Sequence, residues 1–448
     1  MNPPAPPASP EAPAATDRLA SGHGGGLRGA IPAAIRGGLG AFAIVALAGQ
    51  AVPVLIDVFG GGLALSTVLK LGWFYELAFH RVGIDITTPG GVTARVSVAL
   101  LAGTGLALIL LYRAGRAASG RAGPVRGDRA FAVAIVGLSY ALPIAVVTQM
   151  VHLRLDPGLA FLPATVRLQG VVWQSFVFPA LLGIAAAGAG SALASTSRGS
   201  RMRAWVIGGW RMVLGALGIA LIGVLVLAAI RPQGLARYTR AVSANGPRVA
   251  MLLLGHHVLL LPDQSFLVLA PSMGGCTSLR GPAATVALLC PGTLAVLDPP
   301  ALLDDLARVR DRGSTLAPSG SRPMPAGYVA FMLVPLLATL ASGRWVAAGV
   351  DGTGERLRRG AGAGVVFAAL IGVGTWMANV DIIVGRANVP ATSAFSLGAR
   401  PLSTTLLAFA WGVVGGSVGA LTLGRRQDEG TPVPVEPDAP APPSPTSV

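Results

Sequence analysis

In this 448-residue chain, few side chains have the type and spacing to do chemistry: two cysteines, a histidine pair and some polar residues in apolar surroundings. Cys276 and Cys290 share one segment. In an oxidising compartment their spacing permits a structural disulfide, worth about 3 kcal/mol in the loop-closure account. Two free thiols are the alternative. A nucleophilic thiolate is a third, but it needs a base or a positive neighbour to lower its pKa, and the sequence supplies neither beside it. His256 and His257 are adjacent, so on a helix their rings diverge by about 100°, and no carboxylate or further Cys/His ligand surrounds them. Anchoring at a membrane interface suits them better than metal binding. No catalytic, metal or cofactor residue is therefore expected. Asp57, Gln149, Gln174, Asn379 and Asp381 could line one intramembrane polar site, because polar groups at depth are costly and tend to be functional. Asp57 and Asp381 fall near span ends, where cap and interface roles would also account for them. Gly24-Gly25-Gly26 and Gly60-Gly61-Gly62 lack the lysine and the strand–helix context of a phosphate loop.

Composition identifies the elements that must position these residues. Charged residues are 12% of the chain and hydrophobic ones 52%, against about 25% charged in soluble domains. So few charges cannot cover a soluble protein of this length, so lipid must replace water over much of its surface. The formal charge of +15 comes from arginines clustered at the ends of apolar runs, with Lys70 the sole lysine. That placement marks topology and contact with anionic head groups, not nucleic acid. The arginine, alanine, glycine and proline bias suggests a high-GC bacterial genome. No small-residue cleavage pattern follows the first apolar run, which is expected to remain as an anchor.

A hydrocarbon core of about 30 Å needs about 20 helical residues. Eight runs qualify: 37–57, 94–113, 130–150, 170–195, 205–230, 326–343, 361–385 and 401–424. The expected fold is all-α, a polytopic helical membrane protein of about eight spans with interfacial or re-entrant segments and disordered Pro-rich termini. The arginine groups near 28–36, 113–129, 198–203, 344–359 and 425–426 then all share one side, which the positive-inside rule makes the cytoplasm, with both termini there. Residues 61–80 would invert this parity if they crossed. Their Lys70, Glu76 and His80 among aromatic residues suit an interfacial helix on the outer face.

The domain plan is a disordered tail (1–30), a five-helix membrane region (31–230), an external segment (231–325), a three-helix membrane region (326–425) and a second disordered tail (426–448). Within 231–325, residues 249–295 enter and leave from outside or form two short crossings, and Ala301 to Arg312 form a short surface helix with acids early and arginines late. No internal repeat is evident.

Gly275-Cys276-Thr277-Ser278-Leu279-Arg280 and Ala378-Asn379-Val380 resemble short elements of exosortases, membrane transpeptidases with a Cys/Arg/His set. Ile382 stands where their second element has arginine, and no histidine follows His257. A broader resemblance rests on IDITTPGGVTARVSVALLAGTGLALILLYRAGRA, LLLPDQSFLVLAPSMGG and SLGARPLSTTLLAFAWGVVGGSVGAL, about a quarter of the chain. These strings are similar to actinobacterial multi-pass membrane proteins, the PerM cell-division and streptophobe groups. PerM-like membership implies an envelope- or division-linked role without known catalytic residues. The leading expectation is a non-enzymatic plasma-membrane protein whose external segment contacts envelope or division proteins, without cofactor. The alternatives are a transporter or channel using the polar site, and a degenerate exosortase-like thiol enzyme.

Overall fold

A computed structural model describes residues 26–60, 64–155, 165–195, 200–230, 259–281, 285–290, 293–295, 321–323, 330–386 and 389–422. Among the described residues, seven segments of helix are long and apolar enough to cross a membrane: Leu27–Leu55, Arg126–Met150, Val172–Ala194, Arg201–Gly223, Ala330–Ala347, Thr353–Ala378 and Pro401–Leu421. They belong to α1 (Leu27–Gly60), α4 (Arg126–Met150), α5 (Val172–Ser195), α6 (Arg201–Ile230), α8 (Leu333–Ala347), α9 (Thr353–Ala378) and α10 (Pro401–Leu421). Between a quarter and a half of each is buried, and the outward faces carry Leu47, Leu142, Leu181, Ile222 and Val414, all more than half exposed. Apolar surface of that extent requires lipid around it. The chain is a multi-pass membrane protein by this measure.

The second expected span, 94–113, is corrected. Residues 92–97 form a strand, and the helix that follows, α3 (Leu101–Arg121), takes in Arg113, Arg116 and Arg121. It packs among the others but falls short of their apolarity. The seventh expected span also ends early, at Ala378, so Asn379 and Asp381 lie beyond the helix.

The all-α expectation is corrected more deeply. Among the described residues, ten strands form one antiparallel sheet: β1 (Ile84–Thr87), β2 (Val92–Ser97), β3 (His152–Leu155), β4 (Val166–Gly170), β5 (Thr277–Arg280), β6 (Thr285–Cys290), β7 (Thr293–Ala295), β8 (Ser321–Pro323), β9 (Val380–Arg386) and β10 (Val389–Ala399). Their order is β3-β4-β1-β2-β9-β10-β5-β6-β7-β8. Every strand comes from a connection at the same end of the helices. The α3–α4 and α8–α9 connections at the opposite end are a few residues long and flanked by arginines. Strands such as IDIT and VTARVS are β-branched runs around the Pro89-Gly90-Gly91 turn. They abut apolar helices, and a span-length window absorbs them.

Two short helices complete the described elements: α2 (Leu65–Phe79) and α7 (Leu261–Ser272). Residues 72–79 of α2 are buried within the protein, so this helix does not simply lie along a lipid surface. Residues 1–25 and 426–448 of the tails, His256, His257 and the expected helix at 301–312 lie outside the described residues, and Leu27 to Ala30 of the expected first tail instead begin α1.

The fold is a duplication that the sequence does not announce. The described elements of residues 27–195 run helix, short helix, hairpin, helix, helix, hairpin, helix, and those of residues 201–421 repeat that order with β7 and β8 added. The strand registers coincide. Ile84 pairs with Val96 on one side and Gly170 on the other, and Thr277 pairs with Leu289 and Ala399 in the same way. Sheet order within the first half, β3-β4-β1-β2, recurs as β9-β10-β5-β6, and β2 to β9 is the join. Helix contacts recur residue by residue. Cβ atoms at Gly37 and Gly38 would strike α3 and α4, and at Gly208 and Gly209 they would strike α8 and α9. Gly137 against Gly183 is matched by Gly364 against Gly412, the small-residue contact that lets membrane helices approach closely. Even the turn bonds match: Arg129 Nε donates to the Gly123 carbonyl and Arg356 Nε to that of Val350, both at 2.6 Å.

Candidate functional site

The two halves diverge where the short helix runs into the sheet. Both short helices end in the same tight turn. Val82 N–H bonds the Leu77 carbonyl at 3.1 Å, and Gly275 N–H bonds that of Ala270 at 2.9 Å. Each turn needs a left-handed residue. The second half uses Gly274 (φ 99°); the first uses Arg81 (φ 58°), the only described non-glycine residue with positive φ. A side chain there costs about 1–2 kcal/mol. Backbone strain of this kind persists when the surroundings over-determine it and marks positions with a role.

Arg81 has one. Its buried guanidinium bonds the Asp381 carboxylate on β9 and lies 4.3 Å from the Trp376 ring centroid, tying the first half to the second. Burial lowers the Arg81 pKa and the Asp381 charge opposes that shift. Beside it, Gln174 Oε1 accepts the Gly83 N–H at 2.7 Å. Arg95 and Asp85 form a two-bond pair at 2.7 and 3.0 Å across the β1–β2 hairpin. From the other half, Asp263 Oδ2 accepts the Leu101 N–H at 3.2 Å, while its Oδ1 is buried without a partner among the described residues. Burial raises the Asp263 pKa to about 7.

Behind the turn lies a buried polar group. His80 Nδ1 is 2.8 Å from the Glu76 carbonyl oxygen and His80 Nε2 is 2.5 Å from the Tyr140 hydroxyl. A carbonyl only accepts, so Nδ1 carries the hydrogen and Nε2 takes the one from tyrosine, which makes the imidazole neutral. Burial lowers the His80 pKa to about 4, consistent with that tautomer. The Glu76 side chain has 0% exposure, and neither carboxyl oxygen meets a partner among the described residues. Burial raises its pKa well above the carboxylate range, so it is held as the neutral acid. In the second half the corresponding residues are Leu269, Met273 and Phe367, equally buried and apolar. The same backbone therefore packs without these three polar groups.

Of the five expected polar-site residues, Gln174 and Asp381 meet the Arg81 turn, and buried Asn379 donates to the Ala399 carbonyl at 2.9 Å beside them on the sheet. Asp57, half-buried near the end of α1, and Gln149, on the exposed face of α4, are not among these contacts. Cys276 and Cys290 are joined by a disulfide, with Cα atoms 4.4 Å apart, across the β5–β6 hairpin. Gly83 and Ser97 hold the matching positions in the first half. Sequence reasoning missed Glu76, His80, Arg81 and Tyr140 as a group. The available signal was an acid and a histidine four residues apart, hence on one helix face, in a run too polar to span and too apolar for a loop.

Chemically, this site holds a tyrosine hydroxyl on a neutral imidazole, with a buried carboxyl on the same short helix, and it can lock the two halves through Arg81. Among the described residues no group of three or more His, Cys, Asp or Glu side chains could hold a metal ion. No family model matches the chain, and neither a curated protein nor a solved structure matches it.

Proposed function

We propose that this chain is a non-enzymatic plasma-membrane protein that presents its sheet outside the cell as a platform for proteins of the envelope or division machinery. The observation that carries this reading is the asymmetry of the connections. Sheet-forming segments emerge at one end of the helices, and arginine-flanked short turns lie at the other. With α3 as an eighth crossing between the sheet and the α3–α4 turn, the positive-inside rule puts the arginine end, and with it both termini, in the cytoplasm. The disulfide at the sheet end suits an oxidising exterior. It also leaves Cys276 without the thiolate that an exosortase-like reaction would need.

Labelling of intact cells with an impermeant maleimide tests the orientation. Gly90→Cys in the β1–β2 turn reacts directly, and Val125→Cys between α3 and α4 reacts only after permeabilisation. The opposite pattern removes the platform reading. A bulky insertion at Gly90 then separates platform from anchor: the protein still reaches the membrane but fails to restore envelope or division defects in a strain lacking it.

A second reading, a proton-coupled transporter, is favoured by the Glu76–His80–Tyr140 group, since the repeat packs without one. It predicts pH-driven flux in proteoliposomes that Glu76→Gln and Asp381→Asn abolish. Unchanged flux in both variants rejects it.

A further inference from the structure

A cavity of about 320 Å³ opens between the start of α2 and the β3–β4 hairpin, lined by Thr67, Lys70, His152, Leu153, Arg154 and Arg167. Arg154 and Arg167 sit directly opposite each other in the ladder. Like charges so placed repel unless a counter-charge lies between them. None of the described ion pairs includes Lys70, Arg154 or Arg167. The Nδ1 atom of His152 is buried and meets no hydrogen-bond partner among the described residues.

The duplication shows that the fold does not demand these bases. At the matching positions of the second half stand Asp263 for Lys70, Asn379 for His152, Asp381 for Arg154 and Ser396 for Arg167. There the space is used: Asp381 receives Arg81 from the first half, and Asp263 receives the Leu101 N–H. The first half has the same groove with the opposite sign of charge, and that groove faces outward at the end strand of the sheet.

From this we propose that the Lys70–His152–Arg154–Arg167 cavity binds a phosphate group. Two guanidinium forks and an ammonium match the several oxygens and the charge of a phosphate better than a single carboxylate. Thr67 and His152 add hydroxyl and imidazole partners. The cavity is larger than a bare phosphate, so the group can be free or carried on a lipid head group. The proposal does not depend on which side of the membrane the sheet faces.

The test uses the full chain in a phosphate-free detergent. Inorganic phosphate is titrated while the melting temperature is followed, and native mass spectrometry counts adducts with phosphatidylglycerol against diacylglycerol, which lacks the phosphate. A rise in melting temperature with phosphate identifies a free-phosphate site, and retention of phosphatidylglycerol but not diacylglycerol identifies a head-group site. In either case Arg154→Gln with Arg167→Gln weakens binding at least tenfold. Lys70→Gln, at an exposed helical position, weakens it severalfold and serves if the double variant does not fold. Wild-type protein that responds to neither probe, or variants that bind as tightly as wild type, overturn the proposal. A groove that takes only an acidic protein segment would give that first outcome.

Discussion

The first half of this molecule keeps its polar chemistry in the core, and the second half fills the same positions with hydrocarbon. Glu76, His80 and Tyr140 correspond to Leu269, Met273 and Phe367, all six buried. Arg81 corresponds to Gly274, and the turn adopts a left-handed residue in both. The disulfide lies only in the second half, where the first has Gly83 and Ser97. Backbone, register and helix contacts are held in common. What differs is chemistry, so each half acts as a control for the other: a residue type absent from one copy is not required by the architecture.

The sharpest way to break this comparison is to exchange residues across it. Leu269→Glu places an acid where only Met273, Phe367 and similar side chains surround it, and it should destabilise the protein by about 3–5 kcal/mol at neutral pH, the cost of protonating an ordinary carboxyl there, about 1.4 kcal/mol per pH unit, and of burying its oxygens without partners. Glu76→Leu should leave the melting temperature in detergent unchanged or raise it. Equal losses from both would mean that the halves are not equivalent in packing.

Next in size is a test of the shared helix contacts. Gly364→Leu drives a side chain into the Gly412 backbone, and Gly183→Leu does the same at Gly137. Both should cost about 1–3 kcal/mol as overpacking. Gly218→Leu, with open space around it, should cost less than either. Thermal melts of the three variants check the order.

A smaller effect separates strain from pairing at the seam. Arg81→Ala keeps the left-handed backbone penalty and leaves the partly exposed Asp381 without its partner, a loss of about 2 kcal/mol. Arg81→Gly loses the same pair but relieves the turn, so it should be about 1 kcal/mol more stable than Arg81→Ala. If the two melt alike, the turn carries no strain.

The smallest prediction concerns pH. Asp263 in the folded protein releases its proton at about pH 7, against an ordinary value of 3.8. Between those values the folded state binds more protons than the unfolded chain, so this residue's contribution to stability falls as pH rises from about 4 to 7. Asp263→Asn should remove that slope while leaving stability near pH 4 little changed. Melting temperatures measured across the window decide it.

The membrane character and seven of the spans are legible in the residues, because lipid imposes a length and an apolarity that a window detects. The sheet is not. VTARVS continues into VALLAG without a break in apolarity, and Val380–Arg386 follows a helix that ends without a proline or glycine signal. Such strands are fixed by pairing with segments hundreds of residues away, as Arg95 pairs with Ile383. The duplication stays hidden for a related reason. What the halves must share is small side chains at close contacts and burial at fixed spacing, and both are satisfied by many residues. Of the polar site, Gln174, Asn379 and Asp381 were legible as polar groups near apolar ends. Arg81 was not, because its importance comes from a backbone angle and from a partner 300 residues distant.

The strand order carries a final consequence. The halves join front to back, β2 onto β9, and not through a shared twofold edge. Joining like edges would have left the array symmetrical, with identical flanks. A front-to-back join leaves unlike flanks, so the array has a sense of direction, as a row of dominoes does. At one flank β7 and β8 follow β6 as a terminal cap; at the other, β3 repeats the position from which β9 receives its neighbour. Anything that extended the row by the molecule's own rule would attach at β3.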